Sequence, residues 1–369
     1  MKACVTGATG FVGAHVARAL AERGDEVRVT YRDEQRLAAL DGVGFRRAKT
    51  DVLDFAAMRR AVRGTDVLFH TAGYVGSRPA ERLWQLNALA PVVAVEAAAA
   101  EGVGRVVVTS TVSAIGAAAG GEPLDETAEY PRDWLHLAYP DSKHIGEQAA
   151  LAAGRRHGID VVVVNPAYVL GVPVNRSQPG ETSTRTIGNY LRGRLPAVVG
   201  SAMNFCDVED VAVGHLLAAS EGRAGERYIL GSENLTWPGL VDRVARFSGV
   251  RLPVMVLHPG VARVGRMREA VGLPGILPAE AVDLMGRDWR FTSDKARREL
   301  GYEPRPINDT IKATTDWYLE LIGAGTFDDS PDSALSRMAG GVRLAAGVGL
   351  VAPLRLSQRV VRRRFVAGV

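Results

Sequence analysis

Two residues four positions apart, Tyr139 and Lys143, have the types and the spacing of a proton-transfer pair. Residues four apart on a helix lie on one face, so the ammonium group of the lysine would lie near the phenol. A phenol has an ordinary pKa of about 10, and a neighbouring positive charge lowers it. We therefore predict that Tyr139 exchanges a proton with the oxygen of a carbonyl group during hydride transfer, and that Lys143 lowers the pKa of Tyr139.

Hydroxyl-bearing residues follow the predicted strand from Arg105 to Ser110. Its continuous apolar character is that of a strand buried on both faces. Ligands of such sheets bind beyond the carboxyl ends of the strands, where Thr109, Ser110 and Thr111 stand. We predict that Thr111 donates a hydrogen bond to a substrate carbonyl, with Ser110 as the alternative donor.

Three glycines three residues apart, Gly7, Gly10 and Gly13, separate a short strand at residues 2–5 from a helical apolar pattern that ends at Gly24. The N-terminus of a helix offers unpaired N–H groups and the positive end of a dipole. Glycines allow the backbone to approach a pyrophosphate that side chains would hold off. The turn therefore predicts a dinucleotide site, and an unliganded glycine-rich turn is the alternative.

The end of the second strand, Glu26 to Tyr31, is where a dinucleotide-binding fold contacts the adenosine ribose. An acidic residue there binds the 2′-hydroxyl of NAD, whereas an arginine accommodates the 2′-phosphate of NADP. Arg32 follows the strand directly and favours NADP(H). Asp33, about 20 residues beyond the glycines, keeps NAD(H) as the alternative.

The elements that must position these residues alternate as strand and helix. Six such units up to Pro166 predict an α/β fold with a doubly wound parallel sheet of Rossmann type. The alternation stops after Gly171, and helical patterns dominate the rest, which predicts a smaller, mostly helical substrate-binding domain. The predicted division is a nucleotide-binding domain of residues 1–170 and 202–231, a substrate-binding domain of residues 171–201 and 232–322, and a basic tail of residues 323–369.

The net charge of +4 on 369 residues lies in the predicted tail, where seven arginines face three aspartates. The remaining residues sum to zero, which argues against a nucleic-acid-binding protein. Cys4 and Cys206 lie far apart without ligand-spaced partners, so neither a disulfide framework nor a metal site is expected. No signal peptide is recognised before the first strand and no apolar run reaches the length of a membrane span, so a cytoplasmic location is expected.

The tail itself has an amphipathic pattern. On a helix, Leu354, Val361 and Phe365 fall on one side and arginines on the other. This is the profile of a weak interfacial helix attracted to anionic lipid. A solvated tail, or one that docks on another subunit, is the alternative.

Taken together, the ordered motifs resemble the extended short-chain dehydrogenase/reductase family over residues 1–322. Within it the chain is most similar to the dihydroflavonol-4-reductase-like branch, which includes 3β-hydroxysteroid dehydrogenases and sugar epimerase-like proteins. Thr111 departs from the serine usual in the family, although it retains the hydroxyl. The matching segments are Thr6–Gly13, Asp51–Val52, Asn87, Thr109–Thr111, Tyr139 with Lys143, Asn165–Pro166, 204–211 and 295–302.

The resemblance implies roles for further residues. Asn87 would support a water-mediated proton relay beside Thr111, Tyr139 and Lys143. The substrate pocket would be lined by Tyr74, Ser113, Tyr168 and Asn189, while His136 and His144 flank the tyrosine as helix-surface residues that could touch substrate. The implied cofactor contacts are Gly7, Thr9, Gly10, Phe11, Val12, Gly13, Arg32, Asp51, Val52, Thr71, Ala72, Gly73, Thr109, Ser110, Tyr139, Lys143, Pro166 and Val169.

The expected activity is interconversion of a ketone or aldehyde and an alcohol on a small organic molecule, with NADP(H). One alternative is a nucleotide-sugar epimerase or dehydratase that keeps its NAD, and another is a 3β-hydroxysteroid dehydrogenase. A third is a non-catalytic protein that senses NADP(H), against which the intact Tyr139 and Lys143 pair argues. A homodimer formed through the helices at 81–101 and 139–157 would also fit the family.

Overall fold

A seven-stranded parallel sheet forms the centre of the computed structural model, which describes residues 1–76, 79–118, 121–132, 134–177, 183–260, 279–327, 334–347, 358 and 364–368. Along the sheet the strand order is β10-β6-β5-β4-β1-β2-β3, and every neighbouring pair is parallel. The order reverses direction between β1 and β4, which is the switch point where such sheets bind ligands. The strands are β1 (Lys2–Thr6), β2 (Glu26–Tyr31), β3 (Arg46–Lys49), β4 (Val67–His70), β5 (Arg105–Thr109), β6 (Asp160–Pro166) and β10 (Arg227–Leu230).

Helices cover both faces of this sheet, as its continuous apolar strands require. On one face, α1 (Phe11–Glu22) and α7 (Val208–Ser220) pack over Val5, Phe69 and Val107. On the other face, α2 (Phe55–Val62), α4 (Ala90–Ala100) and α5 (Ala138–His157) pack over Leu68, Val106 and Val163. This is the doubly wound α/β architecture that the sequence predicts.

The helix that precedes β5 changes its winding. It begins as α3 (Ala80–Leu83), continues as a π-helical segment (Trp84–Leu89) and ends as α4. The 21 residues Ala80–Ala100 are long and apolar enough to cross a membrane by length and composition, but half of the apolar window is buried against the sheet and α5. Core helices of globular proteins commonly meet the same test, so the segment is explained by its packing.

The remaining residues form a second lobe around two small sheets. One sheet has the order β11-β9-β7 and the other β13-β12-β8. Of these strands, β8, β11 and β12 lie in the predicted, mostly helical substrate domain, β7 and β9 in the predicted nucleotide-binding domain, and β13 in the predicted tail. Their bounds are β7 (Tyr168–Leu170), β8 (Ala197–Val199), β9 (Ala202–Asp207), β11 (Glu233–Thr236), β12 (Val254–Leu257) and β13 (Val366–Ala367).

Aromatic packing holds the helices of this lobe against the sheets. Trp237 meets the rings of Tyr168 and Phe205 edge-on, at centroid separations of 4.9 and 5.5 Å, and Tyr318 packs on Trp317. The helices are α6 (Arg185–Leu191), α8 (Trp237–Ser248), α9 (Ala279–Gly286), α10 (Asp294–Leu300), α11 (Ile307–Gly323) and α12 (Ala334–Gly347).

The end of the chain returns to this lobe. Strand β13 pairs antiparallel with β12, and its residues Val366 and Ala367 are buried. The hydroxyl of Tyr190 donates to the carbonyl of Gly368 over 3.2 Å, and Asp242 accepts the Gly368 N–H over 3.0 Å. Most of the predicted interfacial helix lies outside the described residues.

Candidate active site

The glycine turn is closed by steric contacts that a side chain would break. Gly7 has a φ of +67°, and a Cβ there would lie 2.6 Å from the backbone of Ala72. A Cβ on Gly13 would lie 2.4 Å from both the carbonyl oxygen of Gly7 and the Oγ1 of Thr71. Because no side chain caps the first turn of α1, whose N-cap is Gly10, its backbone N–H groups are available to a phosphate. The turn therefore fits the pyrophosphate of a dinucleotide.

Tyr139 lies in the first turn of α5, next to the hydroxyl group at the end of β5. Burial raises the pKa of Tyr139 to about 12, and the side chain of Thr111, which lies beside the phenol, opposes this rise only in part. The oxygen of Thr111 also accepts hydrogen bonds from the backbone N–H and the hydroxyl of Ser113, each at 3.3 Å. The phenol is thus protonated at neutral pH and held beside a second hydroxyl group.

Lys143 lies one helical turn after Tyr139 and donates from its Nζ to the carbonyl oxygen of Thr109 over 3.0 Å. Burial lowers the pKa of Lys143 to about 8, and the charge of Glu147 raises it. Within the described part of the chain, Lys143 is not among the groups that shift the pKa of Tyr139. Burial of the phenol, which raises the pKa of Tyr139, dominates, and the predicted lowering of this pKa by Lys143 is not present in this structure.

Asn87 lies in the π-helical segment and holds the loop that follows β4. Its Oδ1 accepts the N–H of Tyr74 over 2.8 Å, while its Nδ2 donates to the Tyr74 carbonyl over 2.9 Å and to the Ser142 hydroxyl over 3.2 Å. A Cβ on Gly73 would lie 3.2 Å from Asn87 Oδ1 and 3.0 Å from Lys143 Nζ. The structure therefore brings Asn87 to the site as a support for its backbone, and the proton relay stays a prediction.

Comparison with known proteins agrees with this geometry. Residues 3–231 match the NAD dependent epimerase/dehydratase family, a span that holds the glycine turn, Thr111, Tyr139 and Lys143. The chain belongs to this family. It is an enzyme of the extended short-chain dehydrogenase/reductase type, as the sequence motifs indicate.

Three proteins illustrate the range of relatives. A putative dihydroflavonol 4-reductase from Synechocystis is 31% identical over 85% of this chain and 93% of its own. Sterol demethylase protein B from Methylococcus capsulatus is 32% identical over 87% of this chain and 99% of its own. Among solved structures, a nucleoside-diphosphate-sugar epimerase from Pseudomonas aeruginosa has a TM-score of 0.72 and 26% identity, covering 89% of this chain and 99% of its own.

The family's cofactor-selecting position, at the end of β2, is occupied by Arg32 and Asp33. Arg32 is exposed and has no hydrogen-bond or ion-pair partner among the described residues. Asp33 caps the short helix Glu34–Leu40, because its side chain accepts the N–H of Gln35 over 3.0 Å. The guanidinium of Arg32 is thus available to a ligand, while one carboxylate oxygen of Asp33 already accepts a hydrogen bond from within the chain.

The loop after β3 lies beside this position, since the Thr50 N–H donates to the carbonyl of Tyr31 over 2.9 Å. Asp51 accepts the N–H of Leu53 over 3.0 Å, and Val52 is buried. The predicted cofactor residues from the glycine turn to this loop therefore all follow the carboxyl ends of neighbouring parallel strands. Thr9, Phe11 and Val12 are half-buried around the opening of α1.

The predicted residues at the end of β5 differ in how much of each is free. The Thr109 hydroxyl is bonded to His215 Nε2 at 2.8 Å. Ser110 Oγ is buried and has no partner among the described residues. Pro166 ends β6, and Val169 lies in β7, where it is half-buried. The hydroxyl group that acts on the pKa of Tyr139 is that of Thr111.

The predicted substrate residues surround the same edge but are unequally available. The ring of Tyr74 lies under the guanidinium of Arg82, 5.2 Å from its centroid, and Ser113 is buried. Tyr168 uses its hydroxyl within the lobe, donating to the carbonyl of Ser183 over 3.0 Å. Asn189 is half-buried on α6.

The two flanking histidines have different surroundings. His136 is exposed in a left-handed conformation, with a φ of 53°. His144 is stacked on Tyr130 at 4.0 Å and bonds through Nδ1 to the carbonyl of Ala114 at 2.9 Å, so it acts as a packing residue.

Two carboxylates of α5 were missed by sequence reasoning. Asp141 accepts the N–H groups of Leu135 and Leu137 at 3.2 and 3.0 Å and the hydroxyl of Tyr130 at 2.5 Å, so it fixes the loop before Tyr139. Glu147 is buried four residues after Lys143. The spacing of four residues between Lys143 and Glu147 is a signal that could have found Glu147, whereas Asp141, two residues after Tyr139, lies on another face of α5 and gives no such signal.

Proposed function

We propose that the protein is an NADP(H)-dependent reductase that interconverts a ketone or aldehyde and an alcohol on a small organic substrate. The observation that carries the proposal is the placement of Tyr139 in the first turn of α5, beside the side chain of Thr111 and one helical turn before Lys143, whose Nζ donates to the carbonyl of Thr109. A nicotinamide cofactor would supply the hydride. The relative from Synechocystis, named as a putative dihydroflavonol reductase, supports the same class of reaction.

The side chains divide the chemistry between them. A carbonyl oxygen that gains negative charge needs a proton, and Tyr139 gives up the proton of its hydroxyl group to that oxygen. The Thr111 hydroxyl donates a hydrogen bond to the same oxygen and so fixes the carbonyl against the phenol. Lys143 donates to the carbonyl of Thr109 one helical turn beyond the phenol, and solvent returns the proton to Tyr139.

The preference for NADP(H) rests on the end of β2. Arg32 is exposed, and a 2′-phosphate would give it a charge-assisted hydrogen-bond partner. The engagement of Asp33 with the Gln35 N–H leaves that carboxylate less able to bind a ribose hydroxyl. Both observations favour the phosphorylated cofactor over NAD(H).

Calorimetric titration with NADPH and NADH tests this preference. We expect NADPH to bind more tightly, and Arg32→Ala to weaken NADPH binding by about 10–100-fold with NADH unchanged, because a charged hydrogen bond contributes about 1.5–3 kcal/mol. Arg46→Ala is the matched control, since Arg46 is exposed at the amino end of β3, whereas Arg32 follows the carboxyl end of the neighbouring β2. Equal affinities, or NAD carried through purification, would contradict the proposal and favour an epimerase in which Asp33 binds the ribose.

A panel of ketones and aldehydes with NADPH tests the reaction itself. Tyr139→Phe removes the proton donor and should lower turnover by about 10²–10⁴-fold, with the affinity for NADPH retained. A variant that reduced its substrate at the rate of the parent enzyme would exclude Tyr139 as the acid.

A further inference from the structure

A buried carboxylate, Glu147, lies on α5 one helical turn beyond Lys143. Its side chain has no exposure to solvent. Charged groups in the interior are costly unless they are paired, so the partners of such a carboxylate indicate what it does.

The partners of Glu147 come from two strands of the sheet. Its Oε1 accepts a hydrogen bond from Arg227 Nη1 on β10 over 3.1 Å, and its Oε2 accepts one from Asn165 Nδ2 on β6 over 2.8 Å. Arg227 also donates to the carbonyls of Glu126 and Ala128 at 2.7 and 2.9 Å. The carboxylate is therefore fixed in place on both of its oxygens.

One of these partners reaches the catalytic threonine. Asn165 Nδ2 donates at the same time to the carbonyl oxygen of Thr111 over 3.0 Å. Glu147 thus determines which way the amide of Asn165 points, because a carboxylate accepts only from the Nδ2 side. Asn165 therefore fixes the backbone of Thr111, whose side chain lies beside Tyr139.

Lys143 is acted on by few charges. The titratable groups that face it are Tyr139 and Glu147 on α5 and His70 on β4. Burial, with a smaller contribution from Lys143, lowers the pKa of His70 to about 3, so this imidazole is neutral. Among the described residues, Glu147 is accordingly the negative charge that favours the ammonium form of Lys143.

We propose that Glu147 is a positioning residue of the site, which holds Thr111 through Asn165 and supplies the negative charge beside Lys143, with Arg227 as its counterion. The inference rests on the proposed function for its kinetic consequence, but its electrostatic part can be measured without turnover. Glu147→Gln removes the charge with little change in shape and Glu147→Asp keeps the charge, so the two variants separate the electrostatic effect on Lys143 from the positioning of Thr111.

The decisive measurement is the titration of Lys143 in Glu147→Gln. The chain has five lysines, at positions 2, 49, 143, 295 and 312, so a full chain labelled at lysine Cε gives a resolvable NMR spectrum that Lys143→Arg assigns. We expect Lys143 to lose its proton at a pH about one unit lower in Glu147→Gln than in the parent protein. The alkaline limit of carbonyl reduction should move by the same amount, with KM for NADPH little changed.

Two further variants keep the proposal falsifiable. Glu147→Gln leaves Arg227 buried without its counterion, so Glu147→Gln with Arg227→Met removes both charges and should fold while retaining the shifted Lys143 titration. Glu147→Asp keeps the charge but shortens the reach to Asn165, and should lower kcat without moving the titration.

Glu101→Gln is the matched control, because Glu101, directly after the C-terminal end of α4, is a nearly buried carboxylate that pairs with two arginines and lies on a different element from Lys143. We expect the Lys143 titration to be unchanged in Glu101→Gln. An unchanged titration in Glu147→Gln and in Glu147→Gln with Arg227→Met would overturn the inference. A parent enzyme that reduced no carbonyl would instead overturn the proposed function, and the NMR titration would still decide the role of Glu147.

Discussion

The glycine turn allows folding and cofactor binding to be perturbed separately. Gly13→Ala introduces a Cβ 2.4 Å from the Gly7 carbonyl oxygen and from Thr71 Oγ1, well inside van der Waals contact. One of these atoms is backbone and cannot move without shifting β1 against the loop that follows β4. Overpacking of this kind costs about 3 kcal/mol, which for a chain of this size corresponds to a loss of roughly 6 °C in Tm.

Gly10→Ala should have the opposite signature. Gly10 has φ −95° and ψ 171°, which alanine adopts without strain, and its Cβ would approach only the Gly7 carbonyl, at 3.3 Å. The remaining space around that Cβ is open, and it lies where the backbone meets a pyrophosphate. We expect stability to change by less than about 1 kcal/mol and the Kd for NADPH to rise by about 10–100-fold.

Thermal unfolding and calorimetric titration of both variants measure the two effects. Gly323→Ala is the control, because a Cβ at this helical position meets no atom within 4 Å. Its stability should rise slightly, with binding unchanged. If Gly10→Ala bound NADPH like the parent, the cofactor would not contact the turn, and if Gly13→Ala were as stable as the parent, the packing argument would fail.

Two further predictions concern stability. The pKa values of the buried imidazoles of His15, His70 and His215 are lowered by burial to about 4, about 3 and about 4, so each stays neutral in the folded chain while the unfolded chain takes up protons below about pH 6.5. Stability should therefore be complete above that pH and fall by about 2 kcal/mol per histidine on acidification to about pH 5, which urea unfolding measures; equal midpoints at both pH values would contradict it. Deleting residues 364–369 should lower the unfolding free energy by about 3 kcal/mol, because buried Val366 and Ala367 are lost from β12. Arg364→Ala removes an exposed ion pair with Asp242 and one hydrogen bond to the Val366 carbonyl, and should cost about 1 kcal/mol. A truncated chain as stable as the full one would show that β13 contributes nothing.

The features that sequence reasoning predicted are local ones. Three glycines in one turn, a tyrosine and a lysine on one helical face, and apolar runs bounded by loops each need only a short window of sequence. The order of these features along the chain was enough to indicate the parallel sheet and the family.

The features that it did not predict depend on distant partners. Strand β12 is four residues long and pairs with β8 and β13, which lie far from it in the chain, so no short window reveals the sheet. Burial raises the pKa of Tyr139, the lysine one turn away does not lower it, and only the packed structure supplies that burial. The engagement of Asp33 with Gln35 likewise depends on how the backbone turns after β2.

The π-helical segment Trp84–Leu89 amounts to one residue more than an α-helix needs for the same turn. The carbonyl of Asn87 lies so close to α5 that a Cβ on Gly146 would be 1.9 Å from it, while the Asn87 side chain turns toward Tyr74. Removing one residue from this segment would restore α-helical winding and rotate everything before it by about 100° relative to everything after it. Deleting Ala88 alone would therefore turn the amide of Asn87 away from Tyr74 and Ser142. A deletion in this segment would therefore displace Asn87 from its partners, an effect that a point substitution in the same segment would not produce.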